Sequence, residues 1–454
     1  MTTADPAPPS ASRRPDILLV NPWIHDFAAF DAWARPYGLL LIAALLREGG
    51  CRVSYIDCLD RFHPRAAPAE TGPFGCGPFR KSPLAKPAAF ADVPRIFSRY
   101  GIDPDWLRED LGRLPRPDLI LVTSSMTYWY PGVVETIAVL KREVPGVPVV
   151  LGGAYATLCP DHARRTSGAD AVFTGPAEEA LAGLVETHTG RRPTVAFDPD
   201  APDSYPFPAF DLQRRIPYVP LLTERGCPYR CAYCASHLLE PRRLRRSAAS
   251  VAAEIAHWHR GWGVTDFALY DDAFLSDVHA HAVPVLEAVR RQRLPVRLHT
   301  PNALHVRGIT AETARLLFEA GVASVRLGLE TADPGLRDEL DCKIAAGEFE
   351  HACACLQAAG YPRDRIAAYL LVGLPQQTTE SIRRSIDRVR SAGAVPLLAY
   401  YSPIPGTRLW PAAVRSARYD LAADPLCTNN SVFPCRPEFS WPWIAGLRGQ
   451  VNAR

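Results

Sequence analysis

The chain has 454 residues, enough for two or three domains with substantial cores, which excludes a short disulfide-stapled scaffold. Its 51 basic and 48 acidic side chains leave a formal charge of +3, and 22% charged with 47% hydrophobic residues is an ordinary globular balance. Neither nucleic acid nor a membrane is indicated as a partner: the four lysines (Lys81, Lys86, Lys141, Lys343) are outnumbered by arginines scattered along the whole chain, and the longest apolar run, 38–46, falls far short of the roughly 20 residues a span needs.

The opening MTTADPAPPSASRRP has no apolar stretch of the kind a signal peptide carries, so residues 1–14 are expected to be a disordered leader and the protein cytoplasmic. Strands follow at 16–21 (DILLVN) and 52–57 (RVSYID), separated by an amphipathic helix over 38–48 that ends at Gly49-Gly50. Residues 59–117 break the alternation with proline, glycine and arginine and read as an insertion containing one helix near 93–100. Strands then recur at 118–124, 148–151 and 171–174, with helices over 132–143 and from Pro176, which makes residues 15–190 a doubly wound, Rossmann-like domain. A proline- and aspartate-rich linker (191–217) leads to six more strands near 219–223, 266–270, 296–300, 323–329, 367–372 and 396–401, each separated by a helical pattern. The fold class is therefore α/β, with a partial (β/α)6 barrel over 218–410 and a cap or tail over 411–454.

The cysteines carry the chemistry. Twelve in a reducing compartment are free, buried or metal-bound before they are disulfides. Cys51, Cys58, Cys76, Cys159, Cys342, Cys427 and Cys435 stand singly, and Cys353 and Cys355 cannot share a helix face; these nine read as structural. Cys227, Cys231 and Cys234 fall within eight residues on the loop after the first barrel strand, the end at which barrels build active sites. Three thiolates at that spacing can converge on one polynuclear iron centre and leave an iron without a protein ligand. A zinc knuckle with His237 as fourth ligand is the alternative.

At these residues the chain resembles the radical S-adenosylmethionine superfamily, whose CxxxCxxC loop is matched by RGCPYRCAYC. The resemblance implies a [4Fe–4S] cluster on the three cysteines, S-adenosylmethionine chelated to the open iron, and reductive cleavage to a 5′-deoxyadenosyl radical shielded by the barrel. It places Tyr233 near the adenine. It also places Asp271 and Asp272 (YDD where the family has GGE) at the substrate ammonium, Glu330 at the ribose, and Gly373 of LVGLP beneath the adenine. Asp271 or Asp272 also fits a helix N-cap, and Glu330 an exposed loop acid. The SPIPGT segment after the sixth strand is similar to the closing loop of the cobalamin-domain branch.

The first half resembles the cobalamin-binding domain of that branch, through Pro36-Tyr37-Gly38, Thr123-Ser124-Ser125 and Leu151-Gly152-Gly153. The implied cobalamin contacts are Ser124, Ser125, Gly152 and Gly153, since glycines at strand ends let a bulky ligand approach the backbone. The family's DxHxxG loop survives only as His25-Asp26, so His25 is either a cobalt ligand or a loop histidine. The aromatic run Met126-Thr127-Tyr128-Trp129-Tyr130 fits a cofactor wall or ordinary core. The resemblance implies a cobalamin-dependent methyltransferase acting on unactivated carbon of a small-molecule or peptide substrate, with electrons from a flavodoxin or ferredoxin. A radical enzyme catalysing cyclisation, rearrangement or oxidation, and a non-catalytic iron–sulfur or zinc module, are the alternatives.

Overall fold

The computed structural model describes residues 14–340 and 344–452; the leader expected over 1–14, Arg14 apart, and Cys342 lie outside them. The first half forms a five-stranded parallel sheet from β1 (Asp16–Asn21), β2 (Arg52–Asp57), β3 (Leu119–Val122), β4 (Val149–Leu151) and β5 (Ala171–Val172), in the order β5-β4-β3-β1-β2. Every residue of β1 and β3 is buried, as continuous apolar strands covered on both faces must be. Alternate residues divide between two cores. Leu18, Val20, Ile120 and Val122 pack with Val133, Ile137 and Leu140 of the helix Tyr130–Glu143, whereas Ile17, Leu19, Leu119 and Leu121 pack with the helix Tyr37–Glu48. Strand order reverses between β1 and β3, and in open α/β sheets such a switch point is where ligands bind.

Two sequence expectations are corrected. No helix occupies 93–100: Ser98–Tyr100 is a strand, paired antiparallel with Ile24–Asp26 and Lys81–Pro83. The helix of the insertion is Pro104–Arg113, where proline suits the first turn and the Asp103 side chain accepts from Asp105 N at 3.1 Å. The second correction concerns 191–217, which is no free linker. Ala209 lies in the core of the first domain and its neighbour Phe210 in that of the second, and Arg47 forks onto Asp211 at 2.6 and 3.0 Å.

The second half is a six-stranded parallel sheet whose strands lie in chain order: β6 (Val219–Leu221), β7 (Asp266–Leu269), β8 (Arg297–His299), β9 (Val322–Glu330), β10 (Ile366–Val372) and β11 (Val395–Tyr400). Phe267, Leu298, Val325, Leu327, Ala368 and Leu370 face the surrounding helices in one core. The opposite residues, among them Tyr270, His299, Arg326 and Tyr369, are left for the interior. β6 and β11 do not pair, so the barrel is partial.

The domains are joined by a buried charge. Asp31, fully buried, accepts from Arg35 and Arg61 at 3.0 Å each and from the hydroxyl of Tyr218, which stands at the foot of β6. Beside it Trp33, held at φ 69°, stacks on His299 with ring centroids 4.4 Å apart, and its carbonyl accepts from the Tyr270 hydroxyl. A loop of the first domain thus plugs the barrel. At the far end Asn429 donates to Asp26 at 2.8 Å and Thr428 meets Thr127 at 3.2 Å, so the carboxyl-terminal segment ties the two domains a second time.

Removing one partner of a buried ion pair strands the others and typically costs about 3–5 kcal/mol. Asp31→Ala is therefore expected to lower the thermal midpoint by many degrees, whereas Asp211→Ala, at the more exposed Arg47 pair, should move it little. Scanning calorimetry of the two variants checks the contrast.

Candidate active site

The loop after β6 is set by its root. Glu224–Arg225 pairs antiparallel with Leu244–Arg245, and Gly226 then turns at φ 73°, where an added Cβ would overlap the Arg242 carbonyl. Cys227 and Cys234 emerge half-buried and Cys231 buried, and all three line one cleft of about 150 Å³ at the carboxyl end of the barrel. Ser236 N donates to Cys234 Sγ at 3.4 Å, with the Ser236 hydroxyl 3.2 Å from the same sulfur. The loop is pinned through Ala232, whose N–H reaches Leu340 O at 3.3 Å and whose carbonyl accepts from Leu409 N at 2.8 Å. Among the described residues no group of three His, Cys, Asp or Glu side chains is placed to hold a metal ion. The three cysteines line the cleft together, and His237 is not among the residues lining it.

Tyr233, Asp272 and Glu330 line the same cleft, as the sequence leads one to expect. Glu330 ends β9 at φ 63°, beyond a register shift after Gly328, so its carboxylate turns back into the cleft. A Cβ on Gly328 would stand 3.1 Å from Glu330 Oε1. The Tyr233 hydroxyl hydrogen-bonds Glu330, and burial, reinforced by that carboxylate, holds the phenol well above its usual range. Asp271 does something else. It faces away from the cleft, and its Oδ1 accepts from Thr223 N at 2.9 Å, from the Thr223 hydroxyl at 2.7 Å and from Glu224 N. It anchors the root of the cysteine loop, and of the two aspartates expected at the ammonium only Asp272 lines the cleft. Burial pushes its carboxyl up to about 7.

Gly373 does not line the cleft. It turns at φ 98° beyond β10 with a would-be Cβ 3.4 Å from Phe433, and its N–H donates at 2.8 Å to Gln377 Oε1, while Gln377 Nε2 donates to Leu371 O at 2.7 Å. Gln377, which shapes that turn, has no signal in the sequence, nor does His305, which stacks on Tyr229 at 4.8 Å in the cleft wall.

At the edge of the first sheet Ser124 is buried, and its hydroxyl donates to Gly152 O at 2.6 Å and accepts from Ala156 N at 3.3 Å, zipping the end of β3 to that of β4. Gly153 turns at φ 94°, and a Cβ there would overlap the Ser124 carbonyl, so only glycine fits. A Cβ on Gly152 would meet nothing within 4 Å, and Ser125 and Met126 are exposed beside it. This bare backbone edge lies next to the cysteine loop, because the short helix Ala154–Leu158 packs on Ser236–Leu239. The residues fit a large flat ligand held by backbone between the two domains. His25 is not part of that edge. It is buried with Nε2 2.7 Å from Glu135, whose carboxyl burial would raise but which His25 and Arg99 hold down to about 2. Of the two readings of His25, the structure shows a buried histidine held by Glu135 and turned away from the glycine edge. Tyr128 is core, and Trp129 Nε1 donates to Asp26 at 2.7 Å.

Comparison with known proteins agrees with this geometry. The B12 binding domain family matches residues 101–185 and the Radical SAM superfamily residues 222–389. A protein described as an uncharacterized methyltransferase of Pyrococcus horikoshii is 23% identical over 360 residues, 73% of each chain. A second so described, from Synechocystis, is 26% identical over 224 residues, 47% of this chain and 41% of its own. The fold matches the radical S-adenosylmethionine methyltransferase TsrM of Kitasatospora setae, solved with cobalamin and a [4Fe-4S] cluster, at TM-score 0.64 and 19% identity, covering 90% of this chain and 76% of that one. It also matches OxsB, solved with aqua-cobalamin and S-adenosylmethionine, at TM-score 0.58 and 12% identity, over 96% of this chain and 61% of that one.

A folded carboxyl near 7 against an unfolded one near 4 means the fold retains a proton that the unfolded chain has lost across that window. The stability contributed by protonated Asp271 is complete below about pH 4 and is lost as pH rises to about 7. Asp271→Asn keeps the acceptor oxygen and removes the charge. Melting curves from pH 5 to 8 should fall less steeply for this variant than for wild type; parallel profiles would refute the assignment.

Proposed function

Because the chain belongs to the radical S-adenosylmethionine superfamily, in the branch that carries a cobalamin-binding domain before the barrel, we propose that it is a cobalamin-dependent methyltransferase acting on unactivated carbon of a small-molecule substrate. One observation carries the reading: Cys227, Cys231 and Cys234 share their cleft with Asp272 and Glu330, and the bare Gly152–Gly153 edge lies beside the same loop. When bound, a four-iron cluster on the cysteines supplies the electron that cleaves S-adenosylmethionine, and cobalamin supplies the methyl group.

The chain's own residues do the positioning. Asp272 offers a carboxylate to the ammonium of the methionine moiety, a charge-assisted contact. Glu330, fixed in its turned conformation and bonded to Tyr233, presents acceptor oxygens to ribose hydroxyls. Leu304, Leu340 and Ile344 give the cleft an apolar rim that excludes water from a reactive intermediate. The Ser236 N–H donates to the Cys234 sulfur and so fixes its position in the loop. The methyltransferase descriptions of the relatives from Pyrococcus horikoshii and Synechocystis support the outcome. The superfamily needs an external reductant; a flavodoxin or ferredoxin in a reducing cytoplasm is the source that fits free thiols, and no helix among the described residues is long and apolar enough to cross a membrane.

Anaerobic reconstitution with iron, sulfide and hydroxocobalamin, followed by reduction in the presence of S-adenosylmethionine, tests the proposal. Expected are about four irons per chain, stoichiometric corrinoid, and S-adenosylhomocysteine formed beside 5′-deoxyadenosine. Deoxyadenosine alone would reject methyl transfer. Alanine at any of Cys227, Cys231 or Cys234 should abolish both products, and Glu330→Gln should weaken S-adenosylmethionine binding about tenfold, the loss of one hydrogen bond to a charged group.

A further inference from the structure

β9 sends three residues into the barrel on one face: Glu330 at the cleft, Gly328 below it and Arg326 below that. At ~3.3 Å per residue the levels of Arg326 and Glu330 are roughly 13 Å apart. Arg326 Nη1 donates to the Tyr369 hydroxyl at 3.1 Å, that hydroxyl donates on to Pro301 O at 2.8 Å, and the guanidinium carbon lies 6.0 Å from the Tyr369 ring centre. The head group is oriented, yet it forms no ion pair among the described residues.

Its neighbours do not neutralise it. Arg297, over the Phe74 ring at 5.4 Å, is held by Asp266 at 2.7 Å, and Arg365, over the same ring at 5.8 Å, reaches Asp364 at 4.0 Å. Asp31, the buried carboxylate of the plugging loop, already serves Arg35 and Arg61. The Cys76 thiol and His299 imidazole lie within electrostatic reach, but burial pushes the thiol up and the imidazole down, so both are uncharged at neutral pH. A half-buried cation is costly without a counter-charge. The Tyr369 ring lies beside it, and Trp33 and Phe74 pack on His299, which is within its electrostatic reach.

We infer that Arg326 is the specificity residue for substrate, holding the carboxylate of a small aromatic acid whose reacting carbon lies toward the cleft. The planar fork of a guanidinium matches a carboxylate in two parallel hydrogen bonds, and the rings supply the apolar walls of the skeleton. This rests on the reading of the barrel as the place where a methyl acceptor is held, and it adds the chemical class of that acceptor.

Indole-3-acetate and indole-3-acetamide share a ring and differ by one charge. Each is titrated calorimetrically into anaerobically reconstituted holoenzyme containing S-adenosylmethionine. The acid is expected to bind about tenfold or more tightly than the amide. Arg326→Gln should bring the two within about twofold, and Arg326→Lys, which keeps the charge without the fork, should fall between. Equal affinities in wild type, a preference that survives in Arg326→Gln, or binding of neither compound overturns the inference. Iron and corrinoid contents report whether the variants are folded, and the wild-type ratio decides the matter if Arg326→Gln is not. An acid preference without S-adenosylhomocysteine formation would reject the methyltransferase reading and leave the anchor standing.

Discussion

One buried carboxylate holds the molecule in its working arrangement. Asp31 sits where two guanidinium groups of the first domain and a phenol of the second converge, and all of them are shielded from water. Such a node adds little net stability over an apolar core, because desolvation consumes most of the attraction, but it tolerates almost no displacement. That fixes Trp33 in the barrel interior and, with the Asn429–Asp26 tie at the opposite end, sets the glycine edge of the first sheet against the cysteine loop of the second. The proposed chemistry needs two large cofactors to meet at one substrate. The charge geometry at the domain boundary is what makes the meeting repeatable.

Backbone strain is concentrated around the same space. Apart from Arg293, which ends the helix Val283–Gln292, the non-glycine residues with positive φ among those described are Trp33, Phe74, Glu330, Gln376 and Phe433. The first two belong to the plug, Glu330 to the cleft, and the last two to the turn beyond β10 and the segment packed on it. Conformations of this kind persist only where the surroundings over-determine them. Here stacking on His299, the hydrogen bond from Tyr233 and the capping of the Gly373 turn by Gln377 do so.

How much of this was legible in the sequence follows from the physics of each element. Parallel strands buried on both faces are dense apolar runs, so DILLVN and the six barrel strands are found within a residue or two of where they are read. The insertion resisted because its strands are two or three residues long and take their partners from Ile24–Asp26, a contact that no local pattern announces. The cysteine loop was legible because its chemistry is local. Asp271 and Asp272 were not separable, since adjacent residues at a strand end point to opposite sides and only the fold decides which faces the ligand. His25 stayed open between two readings for a related reason: its neighbours in sequence partly match a motif, but Glu135, more than a hundred residues away, holds its ring.

Ala209 and Phe210 are consecutive, yet each is sunk in a different hydrophobic interior. Cutting the chain between them would strip a filled position from both sides and expose apolar surface on each fragment. The two halves are therefore poor candidates for separate expression or for swapping with the corresponding half of a relative. Packed in this way, they are expected to fold as one unit in spite of their two sheets.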